Sequence, residues 1–148
     1  MEGFVIREIK AEDFDGLMRL YTYLHDNPIP EKSDAVMQMW SDILNDRNHH
    51  IIVADENGEI VSSCVCVIIP NLTHGQRPYA LIENVVTSPD YRSRGLATDC
   101  LNYARAIAQN QNCYKLMLLT GSKRESTLRF YERAGYNSKD KTAFIQWI

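Results

Sequence analysis

Residues 92–98 read Arg92-Ser93-Arg94-Gly95-Leu96-Ala97-Thr98, a turn of the pattern Arg-x-x-Gly-x-Ala with an amphipathic helix directly behind it. A strand-to-helix junction of this kind leaves the first backbone N–H groups of the helix without intrahelical partners. They sit at the positive end of the helix dipole, where a phosphate group binds well. Gly95 lets a ligand come close to the backbone, and Ala97 keeps the first helical turn thin. Upstream, Glu83 stands among Ala80-Leu81-Ile82 and Val85-Val86. Apolar surroundings of that kind would raise a carboxyl pKa toward the range useful for proton transfer. In a regular strand Asn84 points to the other face of the sheet, so the two would not act together.

The junction follows a β-type run, Tyr79 to Thr87, and a Pro89-Asp90 turn; about 35 residues further on comes Phe130-Tyr131-Glu132-Arg133-Ala134-Gly135-Tyr136. In order and separation the two stretches resemble the two signatures of the GCN5-related N-acetyltransferases, the GNAT superfamily. The first matches the acetyl-CoA pyrophosphate loop. The second matches the aromatic-Tyr-Glu-x-x-Gly-aromatic sequence that ends the last long helix.

The resemblance implies direct attack of a primary amine on the thioester of acetyl-CoA, with acetyl-CoA as co-substrate and no metal. It implies that backbone amides of Arg92, Ser93, Arg94, Gly95, Leu96 and Ala97 hold the pyrophosphate, with the Thr98 hydroxyl able to add to them. Val85, Val86 and Thr87 occupy the stretch whose free backbone groups pair with the pantetheine arm. A well-aimed amide of Val85 or Val86 could also polarise the thioester carbonyl, worth about 3–4 kcal/mol. An alkylammonium has a pKa near 10.4, so the amine needs a base. Glu83 matches the position where many family members carry a Glu acting through water; a structural Glu, bonded to nearby backbone or a basic side chain, is the other reading. Tyr131 matches the Tyr whose hydroxyl lies near the CoA sulfur and can protonate the leaving thiolate, whereas plain aromatic packing describes Phe130 better.

The chain also departs from the family pattern. The family often has Asn seven residues before that Tyr; here Arg124 stands there, and Ser126 is the substitute as a pantetheine contact. The strand after the cofactor helix reads Lys115-Leu116-Met117-Leu118-Leu119-Thr120-Gly121. It lacks the Glu-Val-Arg-type ending typical of ribosomal-protein N-terminal acetyltransferases.

At 148 residues the chain reads as a single domain over 1–148, long enough for one sizeable core. Its 45% hydrophobic and 24% charged residues are ordinary for a soluble globular protein. A net charge of -3 argues against a nucleic-acid partner. No apolar run reaches the length of a bilayer, so no membrane partner is expected. Met1-Glu2-Gly3-Phe4 lacks a basic-then-apolar leader, and a cytoplasmic location is expected. Arg92, Arg94, Lys123, Arg124, Arg129 and Arg133 gather near the loop and the last helix, as a ligand with three phosphates would want; solvated helix faces explain Arg129 and Arg133 as well. Cys64, Cys66, Cys100 and Cys113 have neither metal-ligand nor disulfide-framework spacing, and Cys64 and Cys66 read as small core residues on one strand face. His49-His50 reads as a surface feature that begins a strand.

Periodicity supplies the elements. Phe4 to Ile9 alternates as a strand. Acids at Glu12-Asp13 precede a stripe of Phe14, Leu17, Met18, Tyr21 and Leu24, and Asn27-Pro28-Ile29-Pro30 stops that helix. Ser33 is the N-cap of a second helix with Val36, Met39, Trp40, Ile43 and Leu44 on one face. Ile51 to Ala54 and Ile60 to Ile69 pair around Asn57-Gly58. The helix after the loop buries Ala97, Cys100, Leu101, Ala104, Ile107 and Ala108. A short buried strand over 115–119, a helix over 123–134 ending at Gly135, and a closing strand over 142–148 complete the order β-α-α-β-β-β-α-β-α-β. That order matches the GNAT acyl-CoA N-acyltransferase fold: α/β (α+β), a central mixed, mostly antiparallel sheet flanked by helices.

In this fold the first two helices, their connection and the last strands select the acceptor. Asp26 and Glu31 in the connection could attract a cationic amine or be simply solvated. A small-molecule amine is the expected acceptor. A protein lysine or N-terminal acetyltransferase, and a non-catalytic acyl-CoA-binding module, are the alternatives. Homodimers are common in the family, but no stripe in the sequence marks an interface.

Overall fold

A computed structural model of the chain describes residues 3–148. Strand β1 (Phe4–Glu8) leads through a 3-10 turn (Ala11–Asp13) into helix α1 (Phe14–Tyr21). Helix α2 (Asp34–Asn45) follows, then strands β2 (His49–Glu56), β3 (Glu59–Ile69) and β4 (Tyr79–Thr87). A 3-10 turn (Pro89–Tyr91) precedes helix α3 (Leu96–Asn110), and the short strand β5 (Leu116–Leu118) and helix α4 (Glu125–Arg133) end the regular structure. The sheet runs β1-β2-β3-β4-β5, antiparallel except for the parallel pair β4–β5 that the α3 crossover creates.

Local chemistry accounts for most of these boundaries. Ser33 Oγ accepts the Val36 amide at 3.2 Å, capping α2 as expected. Asn57 and Gly58, at φ 50° and 93°, make the tight turn of the β2–β3 hairpin. The entry to α1 is held by ion pairs. Arg7 grips both oxygens of Asp13 at 2.7 and 3.0 Å and reaches Asp55 on β2 at 2.9 Å. Asp13 also accepts the Lys10 amide at 2.7 Å, which turns the chain before the helix begins.

The sheet divides the core in two. On one face Phe14, Leu17 and Leu20 from α1 and Trp40 from α2 pack on Ile51, Val53, Val65 and Val86. On the other, α3 places Leu96, Cys100, Leu101, Ala104 and Ala108 against Ile52, Cys64, Cys66, Ala80 and Ile82. Ala97 and Ile107, expected in the buried set, are half-buried instead. Cys64, Cys66 and Cys100 fill the small spaces under α3. Their burial pushes the Cys66 and Cys100 thiols up to about 12 and raises Cys64 as well. Ser62 and Ser63 are buried in β3 yet satisfied: Ser62 donates to the Val86 carbonyl at 3.1 Å and Ser63 to that of Ile52 at 2.8 Å.

Two expectations fail at the C-terminal side. β5 is half-buried along its length, where a buried strand was expected. Residues 142–148 form no strand and are exposed, where a closing strand was expected. The reason is common to both. β5 bonds β4 on one side, and no strand among the described residues lies on its other side.

Candidate active site

β4 carries the expected catalytic stretch through an irregularity. It pairs Glu83 with Val65 and Val86 with Ser63, so Asn84 and Val85 together oppose Cys64. That count is a β-bulge, and Asn84 supplies its left-handed residue at φ 51°. Asn tolerates this region because its short polar side chain bonds locally. The bulge corrects the expectation of regular alternation. Glu83 shares the face of its cross-strand partner Val65, on the α1–α2 side. Asn84 lines a cavity on that same side. The bulge also removes the apolar shelter expected for Glu83, since Glu83 and Asn84 are both exposed between buried Ile82 and buried Val86.

The cavity, about 290 Å³, lies between α1, α2 and the sheet, with Phe14, Met18, Met39 and Trp40 among its walls and Tyr21, His49 and Asn84 its polar members. Burial pushes the Tyr21 phenol up to about 12, against hydrogen bonding from Asn84 and Ser63 that draws it down. Tyr21 carries no signal of its place in the cavity wall in the sequence, because it occupies an ordinary core position of the α1 stripe. Asp26 and Glu31 are exposed and do not line this cavity.

β5 pairs with Ala80, Leu81 and Ile82 and goes no further along β4. From Glu83 to Thr87, the side of β4 turned away from β3 faces no strand among the described residues, which leaves alternate backbone N–H and C=O groups there without a strand partner. This is the stretch, Val85 to Thr87, expected to pair with a pantetheine arm.

The loop behind it is built as its sequence suggests. The Arg92 Nε donates to the Thr87 carbonyl at 3.2 Å, tying the loop to the end of β4. The Arg94 guanidinium lies over the Tyr91 ring, 5.0 Å from its centroid. Ser93 and Gly95 take left-handed φ values of 62° and 80°, and no side chain caps the first turn of α3. The amides of Leu96, Ala97 and Thr98 are therefore available, and a Cβ added to Gly95 would meet nothing within 4 Å. Free amides, two flanking cations and open space over a glycine fit a pyrophosphate.

Tyr131 is half-buried on α4 and packs against the α3 half of the core, its ring 5.1 Å from Phe130 and 6.3 Å from Tyr136. Burial raises its phenol above the ordinary value, and Cys64, the residue opposite the bulge, adds to the effect. Ser126 is exposed in the first turn of α4. Lys123, Arg124, Arg129 and Arg133 are exposed as well, and Arg129 pairs with Glu125 one turn away on the same helix.

The model of the Acetyltransferase (GNAT) family matches residues 15–136, and the chain belongs to that family. It is 34% identical over 84 residues to a glucosamine 6-phosphate N-acetyltransferase of Trypanosoma brucei brucei, a match covering 57% of this chain and 55% of that one. It is 25% identical over 145 residues to an uncharacterized N-acetyltransferase of Methanocaldococcus jannaschii, covering 95% of this chain and 63% of that protein. The chain thus spans less than two thirds of these curated relatives. A solved structure from Agrobacterium tumefaciens str. C58, described as a candidate acetyltransferase, superposes with a TM-score of 0.89 at 35% identity, covering 97% of this chain and 99% of that one. The mixed five-stranded sheet with its helices is the GNAT fold.

Proposed function

We propose that the chain moves the acetyl group of acetyl-CoA to the primary amine of a small molecule, by direct attack in a ternary complex. The observation that carries this reading is the uncapped first turn of α3 behind Gly95, open to solvent at the end of a strand whose outer edge is free. Bound there, acetyl-CoA supplies an acetyl thioester for acyl transfer. Leu96, Ala97 and Thr98 amides, with Arg92 and Arg94, hold the pyrophosphate, and the free backbone of Val85 to Thr87 pairs with the pantetheine arm. An amide of Val85 or Val86 donates to the thioester oxygen. Glu83, exposed beside the cavity, takes the amine proton through water, and Tyr131 returns a proton to the departing thiolate.

The acceptor is an amine with an apolar body. Aromatic, aliphatic and methionine side chains dominate the cavity, and no Lys or Arg lines it, so it lacks the cations that a sugar phosphate requires. Calorimetric titration with acetyl-CoA, followed by thiol release with a panel of amines, tests both levels. Binding with release for arylalkyl or alkyl amines supports the whole reading. Release with amino-sugar phosphates alone would overturn the acceptor class. Absence of binding would overturn the function.

A further inference from the structure

The wall of the cavity between α1, α2 and the sheet holds one polar group that the protein leaves uncommitted. The Trp40 indole N–H donates to the Ala11 carbonyl at 3.2 Å, so that ring offers the cavity only carbon. The Tyr21 hydroxyl is engaged by Asn84 and Ser63. His49 is different. Its backbone N–H donates to the Asp46 carbonyl at 3.1 Å, but its ring, unlike those of His50 and His74, has no hydrogen-bond partner among the described residues. No charged side chain lines the cavity. Burial lowers the imidazole from its ordinary pKa, with Asp46 opposing that shift and His50 adding to it. The ring is therefore neutral at pH 7 and presents one N–H donor and one acceptor nitrogen.

The sheet register fixes how far this group lies from the reacting end. Val65 on β3 opposes both Ile51 on β2 and Glu83 on β4, and His49 opposes Val67. His49 thus shares the α1–α2 face with Glu83, at a backbone offset of roughly 10 Å across the strands and about 7 Å along them. Between the two lies an apolar floor of Ile51 and Val65, walled by Phe14, Met18 and Trp40. At about 290 Å³ the cavity is at the small end for ligand sites, which suits one ring and its arm and not an oligosaccharide. We infer that His49 is a specificity-determining residue of the acceptor site, exchanging a hydrogen bond with a hydroxyl carried at the end of the acceptor remote from its amine. This rests on the reading of the cavity as the acceptor site. A hydroxyl matches a neutral imidazole because it, too, both donates and accepts. A carboxylate or a second ammonium would be desolvated against a wall with no opposite charge. The class selected is an amine on an aromatic body with a hydroxyl at the far end.

Calorimetric titration of the full chain with tyramine and with phenethylamine, which differ by the phenolic hydroxyl alone, tests this without turnover. Tyramine is expected to bind about tenfold more tightly, the worth of one net hydrogen bond. His49→Phe is expected to remove that preference by weakening tyramine while leaving phenethylamine nearly unchanged. His49→Gln, which keeps a donor and an acceptor, should retain part of it. Equal affinities in the wild type, a preference that survives His49→Phe, or binding of neither amine would overturn the inference. Ring-nitrogen NMR signals of His49 in the unsubstituted chain need no variant to fold. They are expected to move with tyramine and not with phenethylamine, and unmoved signals would overturn the inference as well. The acetyl-transfer reading fails separately. A His49-dependent preference with no transfer from acetyl-CoA to either amine would overturn acetylation and leave the role of His49 standing.

Discussion

Glu83 and Tyr131 stand on opposite faces of the sheet. Glu83 shares the α1–α2 face with Val65, and Tyr131 packs with the α3 half of the core near Cys64. Between them, β5 pairs with β4 only as far as Ile82. In the roles proposed for them, a base and an acid separated in this way would suit a reaction whose amine arrives from one face and whose thiolate leaves toward the other.

Glu83→Gln is expected to lower kcat/KM by about 10²–10³ while leaving acetyl-CoA affinity within a factor of about two, because a positioned base contributes roughly that much. Steady-state kinetics beside calorimetry would check it. Full activity in this variant would return Glu83 to a structural role.

Tyr131→Phe is expected to cut kcat by about 10–10², again with little change in acetyl-CoA binding. Burial raises the Tyr131 phenol above 10, so the acid stays protonated through the neutral range. Its loss of activity would therefore begin only above about pH 10. An equal loss of binding and turnover would show that the ring serves packing.

Gly95→Glu is expected to weaken acetyl-CoA binding at least about 100-fold, by setting a carboxylate where the pyrophosphate is proposed to lie. Gly95→Ala isolates the backbone contribution. A Cβ there meets open space, but φ of 80° costs an L-residue about 1–2 kcal/mol. Thermal unfolding would register that cost, and unchanged binding by the Glu variant would remove the loop from the site.

Asp13→Asn is expected to cost about 2 kcal/mol at neutral pH, since it removes one of the two carboxylates that pair with the half-buried Arg7, Asp55 being the other. The Arg7 hydrogen bonds hold the Asp13 carboxyl below its ordinary 3.8. That contribution is complete above the unfolded pKa and is lost as pH falls through the folded one. The gap between wild type and variant in urea unfolding should therefore be full at pH 6 and shrink below about pH 4. A gap unchanged at pH 3 would place the effect elsewhere.

What the sequence made legible was local chemistry. Ser33 announced a cap, Asn57-Gly58 a turn, and Arg92 to Thr98 a strand-to-helix junction, because each works through its neighbours in the chain. The strand Tyr79–Thr87 came out with its observed ends for the same reason. The bulge at Asn84 was hidden, because it is a matter of register against Cys64, twenty residues away, and a single Asn in an apolar run does not announce it. With it went the placement of Glu83 and Asn84. The tail failed as a closing strand for a related reason. Its residues have the composition of a strand, but a strand also needs a partner edge, and composition does not supply one.

The cysteines bear on how the reaction would be followed. Three of the four thiols are buried and held protonated under α3, and Cys113 is half-buried. A disulfide reagent that reports free CoA would therefore find the native chain nearly silent. The background in such an assay becomes a gauge of the fold itself: a rising blank, before any amine is added, would signal that α3 has lifted from the sheet.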